Sequence, residues 1–275
     1  QPGEILLLEN LRFYPGEETN DEQFCKLLAE PVDLFVNDAF GTAHRAHAST
    51  SGVTTLLPSY AGFLLEREVE MLSQVIQNPN RPLAAVMGGA KIGDKIPLIQ
   101  NLLSKVDIFI IGGGMAATFY FAQGLSVGGS LIEENYLDLV KEILLEGKEK
   151  GVKFCFPSDV VIAKKPIAGF ETKICQPDEV PDDWNIFDIG PQTIGEFRRA
   201  LKGIKTVLWN GPMGIFEISE FSKGTNELAR IIGSLPGACT IVGGGSTVEA
   251  ITSIGIEEEF THAEEIFVEF DTVEE

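Results

Sequence analysis

Long apolar runs are missing from this chain. None reaches the roughly 18 residues that a membrane-crossing helix needs. Cysteine is scarce, and Cys25, Cys155, Cys175 and Cys239 stand far apart with no C-x-x-C and no Cys/His cluster. That spacing argues against a disulfide framework and a zinc site, so the four read as reduced thiols. Histidine is scarcer still, and His44 and His47 have no neighbour to complete a metal set. Positive charge is also in short supply. Twenty-one Lys and Arg against 41 Asp and Glu leave a formal charge of −20, which argues against a nucleic-acid surface and fits an acidic cytoplasmic protein. The last Lys or Arg is Arg230, and nine carboxylates follow in 257–275, a stretch that reads as a solvated acidic tail. Repeats and low-complexity segments are lacking. The opening Gln1-Pro2-Gly3 has neither a Met nor a signal-like segment, so it reads as the interior of a longer chain.

What is present, in 275 residues that are 44% apolar, is enough for a substantial core in one or two domains. "EILLLEN" (4–10) and "VDLFVNDAF" (32–40) read as short buried strands around an amphipathic stretch at 21–30. "GFLLEREVEMLSQVIQ" (62–77) puts Leu65, Val69, Leu72 and Ile76 on one helical face, and "NPNRP" (78–82) stops it. Beyond that break, strands are predicted at 83–89, 107–113, 153–163, 206–211 and 239–245, with helices at 93–104, 115–123 and 133–150. Apolar strands alternating with helices imply a parallel sheet covered on both faces, with ligands at the carboxyl ends of the strands. Glycines mark those ends at 88–89, 112–114, 211 and 243–245.

Several motifs sit there. "GGAKIGDKI" (88–96) spaces Lys91 and Lys95 at i, i+4, which predicts two ammonium groups on one side of a helix start, a setting suited to phosphate. It is not a Walker A loop. "GGGMAA" (112–117) fits a loose G-x-G-x-x-A, with Glu133 and Glu134 about 20 residues on, and keeps an NAD site open as an alternative. "WNGPMGIFE" (209–217) offers the Asn210 amide, the flat apolar side chains of Ile215 and Phe216, and Glu217 as an acceptor for ribose hydroxyls. "NDAFGTAHRAHAST" (37–50) gathers Asp38, His44, Arg45 and His47, with Arg45 the best fork for an anion, and "ENLRFYPGEE" adds Arg12. "TIVGGGSTVEAI" (240–251) runs from a strand through three glycines into a helix.

Together with "LLLENLRF" and "DIGPQT", these strings occur in the order found in the phosphoglycerate kinase family, which the chain resembles over nearly all of residues 4–262. The resemblance implies an α/β fold of two Rossmann-like three-layer α/β/α domains with mainly parallel sheets, joined by a hinge helix, the first domain being incomplete. The implied boundaries are 1–66 for a partial phosphoglycerate-binding domain, 67–82 for the hinge, 83–262 for a nucleotide-binding domain and 263–275 for an atypical acidic tail. It implies reversible phosphoryl transfer between ATP and 3-phosphoglycerate, as in glycolysis or carbon fixation, by a usually monomeric cytoplasmic enzyme that takes Mg²⁺ with ATP or ADP.

By the same resemblance Arg12 and Arg45 hold the phosphoglycerate, while Lys91, Lys95, Gly244 and Gly245 serve the transfer. Lys95, Asn210, Ile215, Glu217, Gly244, Gly245, Ser246 and Thr247 hold the nucleotide. Ser246 stands where the family usually has the Asp that ligates Mg²⁺. The family's Asp-x-Asn loop, its His-x-x-Arg and its Ser-Thr-Gly-Gly-Gly loop are not among these residues, so this chain by itself is expected to be inactive or nearly so. A non-catalytic homologue that binds nucleotide or a partner is the competing expectation.

Overall fold

The computed structural model describes residues 3–43 and 45–264, apart from the side chains of residues 71, 72, 74–77 and 264. His44 and the tail at 265–275 lie outside the described residues, as do the side chains of Leu72 and Ile76 on the expected helical face. The chain divides into two compact units, 1–74 and 75–275.

In the first unit, α1 (Pro15–Glu18) and α2 (Glu22–Ala29) precede β1 (Phe35–Asn37), α3 (Phe40–Ala43), β2 (Ser59–Ala61) and the start of α4 (Phe63–Gln77). Strands β1 and β2 pair in parallel, Val36 opposite Tyr60. Asp21 caps α2 through the Phe24 amide, and Asp38 accepts from the Leu64 and Leu65 amides at the start of α4. The stretch at 4–10 is not the buried strand its composition predicts. It joins no sheet among the described residues, and Ile5, Leu6 and Leu7 are 97%, 84% and 92% exposed. An apolar run becomes a strand only where a neighbour takes its backbone N–H and C=O groups.

The second unit is built on a six-stranded, all-parallel sheet. Its strands are β3 (Leu83–Met87), β4 (Ile108–Ile111), β5 (Lys153–Cys155), β9 (Thr206–Asn210), β10 (Cys239–Gly243) and β11 (His262–Glu264), in the order β11-β10-β9-β3-β4-β5. The intervening helices are α5 (Ile96–Leu102), α6 (Met115–Ala122), α7 (Leu137–Glu149), α8 (Pro191–Ala200), α9 (Lys223–Gly233) and α10 (Gly245–Ser253). Alternation along each strand sends side chains to both faces. Ala84, Val86, Ile108, Ile110, Val207, Trp209 and Val242 meet α8, α9 and α10 in one cluster. On the other face Phe109 stacks on Phe154, and Phe154 abuts Gly147 of α7. Burial on both faces is why these strands read as unbroken apolar runs.

The chain builds outward from β3 to β4 and β5, then returns to β9 on the other side of β3 and continues to β10 and β11. The order therefore reverses between β3 and β9, the place where open α/β sheets form a crevice.

The predicted strand at 153–163 is two strands in different sheets. β5 ends at Cys155, Pro157 supplies no backbone donor, and β6 (Val160–Ala163) joins an antiparallel sheet with β7 (Thr172–Cys175) and β8 (Asn185–Ile189). The predicted helix at 93–104 begins as a 3₁₀ turn over Gly93–Lys95.

Strand β8 carries Asp188, which is almost wholly buried. Its carboxylate accepts from the Gly224 amide in the first turn of α9 (2.7 Å) and from the Ile189 amide (2.8 Å), and a Cβ on Gly214 or Gly224 would collide with it. Burial pushes its carboxyl up to about 7, against the smaller opposing pull of the two amides. The folded state thus holds a proton that the unfolded chain releases near pH 4. Stability contributed by this group is full below that point and falls as pH rises toward 7, by about 1.4 kcal/mol per pH unit.

Two predictions follow from this packing. The wild type should lose its stability advantage over Asp188→Asn between pH 4.5 and 7 in urea titrations; a constant gap across that range contradicts the assignment. Trp209→Ala removes a fully buried ring whose Nε1 donates to the Gly211 carbonyl, and should lower unfolding free energy by about 3–5 kcal/mol in the same assay. An unshifted midpoint contradicts it.

Candidate functional site

The ends of β3 and β9 meet through their backbones. The Gly88 amide donates to the Asn210 carbonyl (2.9 Å) and the Gly89 amide to the Pro212 carbonyl (2.8 Å). A side chain at Gly88 would strike the Gly211 and Pro212 carbonyls, and Gly211 faces Gly88 with φ +94°. Only glycine allows this approach. The Gly211–Gly214 turn is suspended from α9 and α10 as well: the Thr247 hydroxyl accepts from the Gly211 amide (2.8 Å), and the Thr225 hydroxyl accepts from the Met213 (3.0 Å) and Gly214 (3.2 Å) amides.

Two adjoining clefts open at these strand ends and share Gly89, Ala90, Pro212 and Ser246. The first, about 1000 Å³, is lined by Lys91, Asp94, Lys95, Asn210 and the first turns of α10 from Gly244 onward. The Lys95 ammonium donates to Asn210 Oδ1, and burial lowers its pKa while Asp94 opposes the shift. Lys91 lines the same cleft but lies ahead of the 3₁₀ turn, so the two lysines share a cleft and not a helical face. Gly244, with φ +93°, leads into helix α10, whose start no side chain caps. Its first amides and its dipole therefore address the cleft, an arrangement that attracts phosphate oxygens.

The second cleft, about 550 Å³, is lined by Gly113, Gly114, Leu131, Phe187, Ile215, Phe216 and Glu217. Apolar side chains with one carboxylate at hand suit a flat ring bearing a polyhydroxyl substituent. Ile215 and Glu217 are thus set beside Ser246, where the two clefts join. Thr247 lines the first cleft, but it is fully buried and its hydroxyl serves the Gly211 turn.

The dinucleotide alternative gains nothing from the structure. Gly112 and Gly113 are glycines because Met213 and the Gly89 backbone crowd them, and the Glu133 carboxylate accepts the Ile92 and Gly93 amides at the lysine-bearing turn.

Arg12 and Arg45 line neither cleft. They lie in the first unit, on two segments tied together by Glu17, which composition gave no reason to single out. Glu17 is 3% exposed, its carbonyl takes the Ala48 amide, and its carboxylate takes the Ser49 amide and hydroxyl, with His47 Nδ1 3.8 Å away. Both arginine side chains are exposed, and Arg12 sits 4.0 Å from Glu18. Thr225 and Asp188 brace the turn, a role to which no residue pattern in the sequence points. "DIGPQT" marked Asp188 without explaining it, and the buried Asp159 carboxylate, which takes the Gln192 and Thr193 amides, accounts for the rest of that string.

No group of three or more His, Cys, Asp or Glu among the described residues could hold a metal ion unaided. The first cleft does offer hard oxygen donors, the Ser246 hydroxyl and the Asp94 and Glu249 carboxylates. That set fits Mg²⁺, which binds through one or two carboxylates while phosphates and water complete its shell.

The sequence matches the family model described as phosphoglycerate kinase over residues 1–264. It is 50% identical over 263 residues to the phosphoglycerate kinase of Thermosynechococcus vestitus and 51% identical over 263 residues to the cytosolic phosphoglycerate kinase of Triticum aestivum, in each case covering 94% of this chain and 66% of the relative. The chain therefore spans just under two thirds of the length of these relatives. Among solved structures, the phosphoglycerate kinase of Coxiella burnetii superposes with a TM-score of 0.85 at 42% identity, covering 95% of this chain and 67% of that one. That of Pyrococcus horikoshii gives 0.80 at 31%, covering 94% and 67%. With its strand order, its glycine-lined crevice and these likenesses in agreement, the chain belongs to the phosphoglycerate kinase family.

Proposed function

We propose that this protein transfers the γ-phosphoryl group of ATP to the carboxylate of 3-phosphoglycerate, releasing ADP and 1,3-bisphosphoglycerate, and runs the reverse reaction as readily as concentrations dictate. The observation that carries this reading is the pair of joined clefts: one has the lysines and the uncapped start of α10, the other has apolar side chains and Glu217. The base would lie against Ile215, the ribose hydroxyls would donate to Glu217, and the phosphates would meet the α10 amides, Lys91, Lys95 and Asn210. Lys95 is poised for this because a phosphate would return to it the charge stabilisation that burial withholds. Arg12 and Arg45 would hold the phosphoglycerate's anionic groups by bidentate hydrogen bonds.

Catalysis then rests on positioning and on neutralising charge over the equatorial oxygens of the moving group, with no covalent enzyme intermediate. Mg²⁺, when bound with the nucleotide, supplies further neutralisation of the phosphate charge. A cytoplasmic setting is part of this proposal, supported by the wheat relative's name, cytosolic phosphoglycerate kinase, and by the four free cysteines.

A second reading, a homologue that binds nucleotide without turning over, is favoured by the uncharged Ser246 in the phosphate cleft. Two measurements separate them. Titration calorimetry should show ADP binding to this chain, weakened about tenfold or more by Lys95→Ala; equal affinity contradicts the assignment of the first cleft. A coupled assay of the protein at its full natural length with 3-phosphoglycerate and Mg-ATP should show turnover. ADP binding without turnover above background would establish the second reading in its place.

A further inference from the structure

Ser246 poses a charge problem. A hydroxyl can ligate or orient a hydrated cation, but it contributes no charge against one, so any carboxylate that complements the phosphates comes from another position in the cleft. Two are at hand, Asp94 and Glu249.

They differ in what already faces them. Asp94 adjoins Lys95 and acts on its ammonium, raising the pKa that burial lowers, so its charge is spent in part on that lysine. Glu249 is exposed and forms no ion pair with any Lys, Arg or His among the described residues. It is the fifth residue of α10, past the first turn, where the pull of the helix dipole on an acid has faded.

Its position supplies the rest. Residues three or four apart share a helical face, and Ser246, Glu249 and Ser253 form one such stripe of α10 along the first cleft, which Thr247, Val248 and Thr252 also line. Helical side chains lean toward the N-terminus, and a three-residue offset is about 4.5 Å along the axis. Glutamate has one methylene more than aspartate, so a carboxylate on 249 reaches back toward the oxygen positions that a shorter acid on 246 would occupy.

We propose that Glu249 holds the divalent cation of a bound Mg-nucleotide, supplying from three residues further along α10 the negative charge that Ser246 lacks. This rests on the nucleotide reading of the first cleft. Within it, Ser246 contributes its hydroxyl and backbone amide, Glu249 the negative charge.

The test is titration calorimetry of ADP binding to the 275-residue chain, with Mg²⁺ and with the metal removed by chelator, in the wild type and in Glu249→Gln, Asp94→Asn and Ser246→Asp/Glu249→Gln. The wild type should bind ADP more tightly with Mg²⁺. Glu249→Gln should lose about tenfold of that gain, the size of one charge-assisted contact, while metal-free ADP binds as well as before or better because a repelling charge has gone. Asp94→Asn should reduce the gain less than Glu249→Gln does, and adding Ser246→Asp to Glu249→Gln should restore it. A full Mg²⁺ gain in Glu249→Gln overturns the proposal and leaves the nucleotide site standing. Loss of the gain in Asp94→Asn alone assigns the charge to Asp94 and also overturns it. No ADP binding by the wild type in either condition removes the cleft assignment, and the proposal with it.

Discussion

Everything at the candidate site depends on how closely the ends of β3 and β9 approach. Two backbone hydrogen bonds, from Gly88 to Asn210 and from Gly89 to Pro212, join the ends of parallel strands on either side of the point where the strand order reverses. A methyl group at Gly88 or Gly211 would force them apart. Because they close, Lys95 on the β3 side reaches Asn210 on the β9 side, and the Gly211–Gly214 turn swings its apolar continuation, Ile215 and Phe216, into the neighbouring cleft. The fold thus fixes the lysine, the amide and the apolar wall relative to one another before any ligand arrives, which is the preorganisation that charge stabilisation needs.

The same turn shows how polar groups are managed in a dry interior. Its amides go to the hydroxyls of Thr225 and Thr247, its first carbonyl to the Trp209 indole, and Asp188 sits beneath Gly214 with its carboxylate on the start of α9. Each buried donor has a partner, so the turn can be irregular without leaving unsatisfied groups. The start of α10 is treated differently. No side chain caps it, and its first residues line the cleft that Lys91 and Lys95 share with Gly89, Gly211 and Gly244. A helix start that is left open toward a cleft is fitted to an anion from outside the chain.

How much of this the residues disclose depends on the physics behind each feature. Strands β3, β4, β9 and β10 were legible because burial on both faces demands unbroken runs such as "LAAVM" and "TVLWN", and glycines punctuate their carboxyl ends. "EILLL" has the same composition and is no strand, since composition says nothing about a neighbour to bond with. "KFCFPSDVVIA" reads as one strand, yet Pro157 divides it between two sheets, and the half-polar, largely exposed edge strand "TKIC" at 172–175 is too short and too mixed to carry an apolar signature. At the site, Lys91, Lys95, Asn210, Ile215, Glu217 and the 244–247 loop were singled out by residue type and all line the two clefts. Thr225, Asp188 and Glu17 were not, because their partners lie 11 to 36 residues away and only the folded chain brings those together.

The proposed function makes one nucleotide-binding surface of three backbone segments, around Gly88–Ala90, Asn210–Glu217 and Gly244–Thr247. Amide hydrogen exchange read by mass spectrometry, with and without saturating Mg-ADP, addresses all three at once. Bound Mg-ADP should slow exchange in peptides covering each of these segments and leave the edge strands β5 and β7 unchanged. Protection confined to other parts of the second unit, or equal exchange in the presence and absence of nucleotide, would contradict it.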